Sequence, residues 1–194
     1  MKKIGITGQM GSGKTHLALQ FASFGVPILI MDQVVKQLQT TNVHLIKKIK
    51  KRFPGSYTKS DQMNKEFMVR TLFYDESGQN LKDISEIIKP FLMKEIDNFY
   101  KEHSHKKYVL VESALIYEYD LQSNFDEIIF VNTEPELRKS AAIKRDGISE
   151  KEYELRMKTQ ISDDYKLKNS NWIINNDFTT KVQEQIKLIH ESIL

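Results

Sequence analysis

The stretch "GITGQMGSGKTHL", from Gly5 to Leu17, decides the fold of this 194-residue chain. Four of the eight glycines of the sequence fall within its first nine residues. A short apolar run leads into the stretch, and apolar residues at helical spacing follow at Leu17, Phe21 and Phe24. The sequence therefore predicts a strand, a glycine-rich loop and a helix in immediate succession.

The loop fits the pattern Gly-x-x-x-x-Gly-Lys-[Ser/Thr], with Gly8, Gly13, Lys14 and Thr15 in the defined positions. Glycines let the backbone curl until successive N–H groups point at phosphate oxygens, and the following helix presents its positive end there. Lys14 is then expected to reach the β- and γ-phosphates and the Thr15 hydroxyl to bind Mg²⁺. A glycine-rich turn without a ligand is the alternative, but the strand–loop–helix context favours a nucleoside triphosphate site.

Composition and charge exclude several other classes of protein. The sequence has no cysteine, which rules out disulfide frameworks, thiolate metal sites and thiol catalysis. Its 29 basic and 26 acidic side chains leave a net charge of only +3, so no nucleic-acid partner is expected. The start "MKKIGITG" breaks at glycine before a signal peptide could form, and no apolar run reaches the length of a membrane span. We therefore expect a cytoplasmic protein without a membrane partner.

Short apolar runs alternate with helical patterns along the rest of the chain. The predicted strands are Lys3–Thr7, Pro27–Met31, Tyr108–Glu112, Glu127–Asn132 and Trp172–Asn175. Strands separated by helices pair in parallel through βαβ crossovers. The predicted fold class is therefore α/β, a P-loop NTPase-type parallel sheet flanked by helices.

The chain between the second and third strands is too long for one crossover, and its apolar spacing is almost wholly helical. We interpret it as an inserted helical substrate lobe of about residues 41–105. Within this lobe Pro90 is expected to break or kink a helix, because proline removes a donor and clashes with the preceding turn. The single domain then has its core in residues 1–40, 106–135 and 170–194.

Two acidic residues are expected at the sheet edge where open α/β sheets bind ligands. Asp32 follows the second predicted strand, and Glu112 ends the third. A carboxylate near the γ-phosphate can orient or deprotonate an attacking hydroxyl, or hold a water on Mg²⁺. Asp32 can equally cap the helix that follows it, and the two roles are compatible.

Two short strings raise the alternative of a switch GTPase. "DESG" at Asp75–Gly78 matches Asp-x-x-Gly, and "TKSD" at Thr58–Asp61 matches the guanine-reading Thr-Lys-x-Asp. Their order is the reverse of that in GTPases, and neither string follows a strand-like run. We interpret both as chance matches in polar loops.

Motifs along nearly the whole chain resemble those of the dephospho-coenzyme A kinase family. The opening "IGITGQMGSGKTHLALQFASFGVPILIMDQVVKQL" is similar to the family's phosphate loop, helix and acidic strand end. The segments "MNKEFMVRTLF", "IIKPFL", "LVESALIYE", "KRDGIS" and "WIINND" are similar to later family elements, in the family's order. The resemblance implies ATP- and Mg²⁺-dependent phosphorylation of the ribose 3′-hydroxyl of dephospho-coenzyme A, giving coenzyme A and ADP, by a protein that we expect to be a monomer.

The resemblance also implies roles for individual residues. The expected catalytic residues are Lys14, Asp32 and Arg145, with Arg145 closing over the triphosphate from a helical lid of about residues 136–169. The expected ATP contacts are Gly8, Gly11, Ser12, Gly13, Lys14, Thr15, His16 and Arg145, with Asn175 at the adenine. The expected acceptor contacts are Asp32, Lys36, Lys65, Lys89 and Glu112, and the expected Mg²⁺ ligand is Thr15, joined through water by Asp32 or Glu112. Gln160 and Lys166 fit the family pattern after the lid.

Four positions depart from the family pattern: Ile30, Lys89, Ala114 and Ala141 replace an acid, a histidine, a proline and a second lid arginine. Arg138 and Lys144 are the nearest candidates for the charge that Ala141 lacks. The departures keep two alternatives open, a P-loop kinase of another nucleoside or nucleotide and a nucleotide-binding regulator with weakened catalysis.

Overall fold

A computed structural model describes residues 1–179 and 181–194. Its strands are β1 Lys2–Gly8, β2 Ile28–Ile30, β3 Tyr108–Glu112, β4 Glu127–Asn132 and β5 Trp172–Asn175. They form one parallel sheet in the order β2-β3-β1-β4-β5. The predicted α/β class is confirmed, and each predicted strand lies within one residue of the observed bounds.

Helices connect and flank these strands. They are α1 Lys14–Phe21, α2 Met31–Thr41, α3 Val43–Arg52, α4 Lys65–Phe73, α5 Gln79–Glu102, α6 Pro135–Asp146, α7 Glu150–Met157, α8 Asp163–Lys168 and α9 Val182–Ile193. None of the described helices combines the length and the apolar character that crossing a bilayer requires.

The chain divides into two compact units. The sheet unit comprises Met1–Ile30 and Tyr100–Leu194, and the helical unit comprises Met31–Phe99. The predicted lobe, about residues 41–105, overlaps most of the helical unit. The helical unit begins earlier than the predicted lobe because α2 starts directly after β2 and belongs with the helices that follow it.

Strand β1 lies at the centre of the sheet, paired with β3 on one side and β4 on the other. Its Ile4 and Ile6 are fully buried, and Leu17 and Phe21 of α1 pack in the same core. Burying a side chain of this size contributes about 1.5–3 kcal/mol. This packing fixes both ends of the loop between β1 and α1.

The sequence predicted a break or a kink at Pro90; helix α5 runs through Pro90 without interruption, so the break is wrong, whereas the kink stays a prediction. Proline removes one intrahelical hydrogen bond, but the rest of the helix has a buried apolar face that does not depend on that bond. The buried residues at helical spacing on this face are Ile84, Ile88, Leu92 and Ile96. Pro90 itself is exposed, so its ring displaces no packed neighbour.

Gly11 in the loop after β1 has a φ of +84° and approaches α6 very closely. A Cβ at this position would lie 2.0 Å from the carbonyl oxygen of Arg138 and 3.0 Å from the Cβ of Ala142. The obstruction is helix backbone, which cannot rotate away as a side-chain tip can. Gly25 has a similar φ of +75°, but a Cβ added there would meet no atom within 4 Å.

This pair of glycines separates the cost of backbone conformation from the cost of close approach. Gly25→Ala is expected to lower the free energy of unfolding by about 1 kcal/mol, the usual penalty of the left-handed region. Gly11→Ala is expected to lower it by about 3 kcal/mol, because overpacking against α6 adds to that penalty. Urea unfolding of both variants measures the difference. Equal losses of unfolding free energy would show that α6 moves away from the added methyl group without an energetic cost.

Candidate active site

The loop between β1 and α1 is shaped to receive an anion. Gly13 has a φ of +82°, and a Cβ there would lie 2.5 Å from Nδ2 of Asn176. Helix α1 starts at Lys14 with no side-chain cap and no acidic residue in its first turn. The N–H groups of that turn and the positive end of the helix dipole are therefore open to a bound phosphate.

Lys14, Thr15 and Glu112 come together beside this loop. The Thr15 hydroxyl donates a hydrogen bond to Oε2 of Glu112 at 3.2 Å, and Nζ of Lys14 lies 3.9 Å from Oε1 of the same carboxylate. Glu112 is 1% exposed and Lys14 6%. The register of β3 against β1 places Glu112 next to Ile6, two residues before the end of β1. The central strands therefore bring the carboxylate to the loop.

Three hydroxyl groups of this region, those of Thr7, Ser12 and Thr15, have hydrogen-bonding capacity that no described residue uses. Oγ1 of Thr7 and Oγ of Ser12 are buried and make no hydrogen bond to any residue that the structure describes. Buried hydroxyls of this kind are costly unless a ligand or water satisfies them. The Thr15 hydroxyl donates a hydrogen bond to Glu112, so the lone pairs of its oxygen remain available to a cation.

No three His, Asp or Glu side chains within residues 1–179 and 181–194 form a metal-binding group. A Mg²⁺ ion at a phosphate loop needs no such group, because it keeps several waters and is held by one or two protein oxygens together with substrate phosphates. The oxygens of Thr15 and Glu112 fit that requirement.

Two residues that sequence reasoning missed hold the loop from the ends of β4 and β5. Nδ2 of Asn176 donates to the carbonyl oxygen of Ser12 at 2.8 Å, and the hydroxyl of Thr133 donates to the same oxygen at 3.0 Å. Both side chains are buried. In the segment "WIINND" an isoleucine stands two residues before Asn175 and another two residues before Asn176, so the segment could have indicated both candidates.

Asn175 itself is exposed, and its side-chain oxygen accepts a hydrogen bond from Nδ2 of Asn132 at 2.9 Å. Its contact with adenine stays a prediction. His16 is also exposed, in the first turn of α1, with Nε2 of its ring 3.0 Å from Nε2 of Gln20.

The arginines of the predicted lid, Arg145 and Arg138, have different surroundings. Arg145 is exposed near the end of α6, where Nε and Nη2 each donate to the Asp146 carboxylate at 2.8 Å. Arg138 is 7% exposed, and its Nη1 donates to Asp163 at 2.6 Å. The charge of Arg138 is thus neutralised by α8, whereas Arg145 and Lys144 lie on the surface.

The remaining predicted acceptor residues belong to the helical unit. Helix α2 begins at Met31, so Asp32 is the second residue of the helix and not the residue that precedes it. Asp32 and Lys36, one turn later, are both exposed. Lys65 is exposed at the start of α4, after Asn64 caps that helix, and Lys89 is half-buried in α5. Their roles stay predictions.

The fold and the loop define the class of the protein as an α/β protein with a P-loop nucleotide-binding fold. A solved structure from Thermus thermophilus superposes with a TM-score of 0.82 at 23% identity, covering 100% of this chain and 98% of that one. Shikimate kinase from Bacteroides thetaiotaomicron superposes with a TM-score of 0.52 at 16% identity, covering 99% and 98%. Both similarities concern the fold.

Sequence comparison identifies the family within this class. The family model described as dephospho-CoA kinase matches residues 2–182, and the chain belongs to that family. The dephospho-CoA kinase of Aquifex aeolicus is 29% identical over 195 residues, covering 100% of this chain and 98% of that protein. The dephospho-CoA kinase of Gamma-proteobacterium EBAC31A08 is 29% identical over 188 residues, covering 96% and 94%. The resemblance recognised in the motifs is confirmed.

The neighbouring asparagines after β5 allow a matched test of how the loop is held. Asn176→Ala is expected to lower the free energy of unfolding by about 1–2 kcal/mol, because it leaves the buried Ser12 carbonyl with one donor fewer. Asn175→Ala is expected to change it by less than about 0.5 kcal/mol, because its side chain is exposed. Urea unfolding without nucleotide measures both. An equal effect of the two substitutions would contradict the support that we assign to Asn176.

Proposed function

We propose that this chain transfers the γ-phosphoryl group of ATP to the ribose 3′-hydroxyl of dephospho-coenzyme A, forming coenzyme A and ADP. The observation that carries the proposal is the cluster of Lys14, Thr15 and Glu112 beside an open helix N-terminus, in a chain of the dephospho-CoA kinase family. The names of the relatives support the choice of acceptor. The proposal includes a monomer as the working enzyme, and sedimentation during turnover would test this oligomeric state. It also places the enzyme in the cytoplasm.

The phosphate loop binds and orients the triphosphate. Backbone N–H groups at the start of α1 donate to phosphate oxygens, and the Lys14 ammonium neutralises charge on the transferring group. Thr15, with Glu112 or Asp32 acting through water, would hold Mg²⁺, which supplies further neutralisation of the β- and γ-phosphates. The hydrogen bond from Thr15 to Glu112 fixes the hydroxyl with its lone pairs turned away from the carboxylate.

Asp32 is the proposed acceptor of the proton from the 3′-hydroxyl. It is exposed, and only one residue separates it from Ile30, the last residue of β2 and the register partner of Glu112. Lys36, Lys65 and Lys89 are the proposed cationic contacts of the acceptor, whose own phosphates are anionic.

Arg145 is the proposed lid cation. Its guanidinium makes two hydrogen bonds to Asp146, and a phosphate offers the same two-oxygen geometry with more charge. The exchange of Asp146 for phosphate would bring Arg145 to the transferring group, where charge develops in the transition state.

An assay of ADP formation with a panel of acceptors tests the function. The panel would contain dephospho-coenzyme A, adenosine, deoxyadenosine, AMP and shikimate, with ATP and Mg²⁺ in excess. We expect turnover with dephospho-coenzyme A, with the product identified as coenzyme A by mass spectrometry. Faster turnover of another acceptor would favour a different nucleoside or nucleotide kinase, and no turnover despite ATP binding would favour the regulator.

Removal of the proposed phosphate-binding cations should lower the rate of catalysis, and Lys14→Ala should also lower stability, because it leaves the buried Glu112 carboxylate without its cation. Lys14→Ala is expected to lower kcat by about 10²-fold or more, and Arg145→Ala by about 10³-fold, because each charge stabilises the transferring phosphoryl group. Lys187→Ala, which removes an exposed ammonium on α9, is the control and should match the parent protein. Parent-like kcat in the Lys14→Ala variant would overturn the kinase proposal.

Asp32→Asn separates proton transfer from helix stability. An amide cannot accept the proton at neutral pH, so we expect kcat to fall by about 10²-fold or more. The free energy of unfolding should change by less than about 1 kcal/mol, because the substitution removes only a charge from the first turn of α2. Measurement of kcat and of urea unfolding on the same preparation tests both statements. Full activity with reduced stability would assign Asp32 a purely structural role.

A further inference from the structure

Lys166 in α8 is the most deeply buried charged side chain among the residues that the structure describes, with 0% exposure. Taking an ammonium group out of water costs several kcal/mol unless its charge and its donors are matched. The proposed reaction has so far assigned no role to this group. Its surroundings therefore need an explanation of their own.

The ammonium of Lys166 has three oxygen partners. Its Nζ lies 2.8 Å from Oε1 of Glu118, 3.2 Å from Oε1 of Gln9 and 3.3 Å from the carbonyl oxygen of Ala114. Three acceptors match the three N–H donors of an ammonium group. Glu118 is also nearly buried, with 7% of its side chain exposed, and supplies the opposing charge.

One of these partners belongs to the phosphate-binding loop. Gln9 follows Gly8 directly, is 2% exposed, and its backbone carbonyl accepts a hydrogen bond from the Ser12 N–H at 3.1 Å. The side-chain nitrogen of Gln9 donates to the carbonyl oxygen of Ile161 at 2.7 Å. Lys166 and Ile161 thus hold the two ends of one amide group and fix its orientation.

The segment before α8 reinforces this attachment. The N–H of Met10 donates to the side-chain oxygen of Gln160 at 3.0 Å, and the N–H of Ile161 donates to Oε1 of Glu118 at 2.9 Å. The first two residues of the loop are therefore bound to residues about 150 positions away in the sequence. Removal of the central charge would loosen each of these contacts.

We propose that Lys166 is a positioning residue for ATP binding: through Gln9 and Glu118 it fixes the first turn of the phosphate-binding loop. This inference rests on the proposed function for its ligand. Lys166 acts on ATP through the loop and need not touch the reacting atoms.

The charges around the loop agree with this role. Burial lowers the pKa of Lys166, Glu118 raises it, and the charge of Lys14 contributes a further lowering. Two ammonium groups close enough to interact repel one another, so both favour a bound anion. Each also has its own carboxylate, Glu118 for Lys166 and Glu112 for Lys14, which makes the two charges tolerable without nucleotide.

A double substitution distinguishes positioning from simple stabilisation. Lys166→Met keeps most of the length of the side chain but leaves Glu118 as a buried, uncompensated charge, so we expect it to destabilise the protein. Lys166→Met combined with Glu118→Gln removes both charges, and the glutamine oxygen can still accept from Ile161. Since a buried ion pair can often be replaced without loss of stability, we expect the double variant to recover most of the stability in urea unfolding.

The deciding measurements are Kd for ADP by calorimetry and KM for ATP. In the double variant we expect both to rise about tenfold, with KM for dephospho-coenzyme A unchanged. Gln9→Leu leaves the ion pair of Lys166 and Glu118 intact but removes the hydrogen bond from Lys166 to the loop. It should also raise Kd for ADP and KM for ATP. Lys2→Met removes an ammonium that pairs with Glu127 beside β1 in the same unit, and it should change neither.

Parent-like ADP and ATP constants in the double variant or in Gln9→Leu would overturn the inference and leave Lys166 a purely structural role. Because ADP binding requires no acceptor, the measurement remains decisive if the phosphorylation of dephospho-coenzyme A is disproved. If the parent protein binds ADP but does not phosphorylate dephospho-coenzyme A, only the proposed function is overturned.

Discussion

The sheet unit depends on the close approach of backbone to backbone at Gly11. Gly11 has no Cβ, so the loop can pack directly against the Arg138 carbonyl in α6, where no Cβ would fit. Once α6 is in that position, the Arg138 side chain pairs with Asp163 of α8, and α8 carries Lys166 back to the loop through Gln9. One contact that requires glycine therefore connects the loop with helices more than 100 residues later in the chain.

Charge balance explains how the loop can be positive and still fold without a ligand. The segment "ESALIYE" provides a carboxylate at each end, and each pairs with one buried ammonium group. Without Glu112 and Glu118, Lys14 and Lys166 would repel one another in a site of low dielectric constant. A triphosphate supplies several negative charges at once and competes with Glu112 for the ammonium group of Lys14. The same arrangement supports the fold and prepares the site for phosphate.

The strands, the loop and the family could be predicted because their signals are local. Apolar runs give the strands to within one residue, and the loop pattern lies within eight consecutive positions. The supports of the loop could not be predicted in this way, because Thr133 and Asn176 approach Ser12 only when β4 and β5 have paired beside β1. Pro90 is the opposite case. The local sequence predicted a break there, but α5 continues through Pro90 and has a buried apolar face along the rest of its length.

Ala141 stands where a second arginine of the proposed lid would be expected, so the role proposed for the lid falls on Arg145. In the structure Arg145 pairs with Asp146. Both side chains of that pair reach solvent, and exposed ion pairs contribute little to stability. Arg145 can therefore leave Asp146 at small cost when a phosphate is offered, whereas the buried guanidinium of Arg138 cannot leave Asp163 without stranding a charge. If residues 136–169 form the proposed lid, a lid with one arginine depends on the ease with which that arginine changes partner. The exposure of Arg145 is thus as important to its proposed role as its charge.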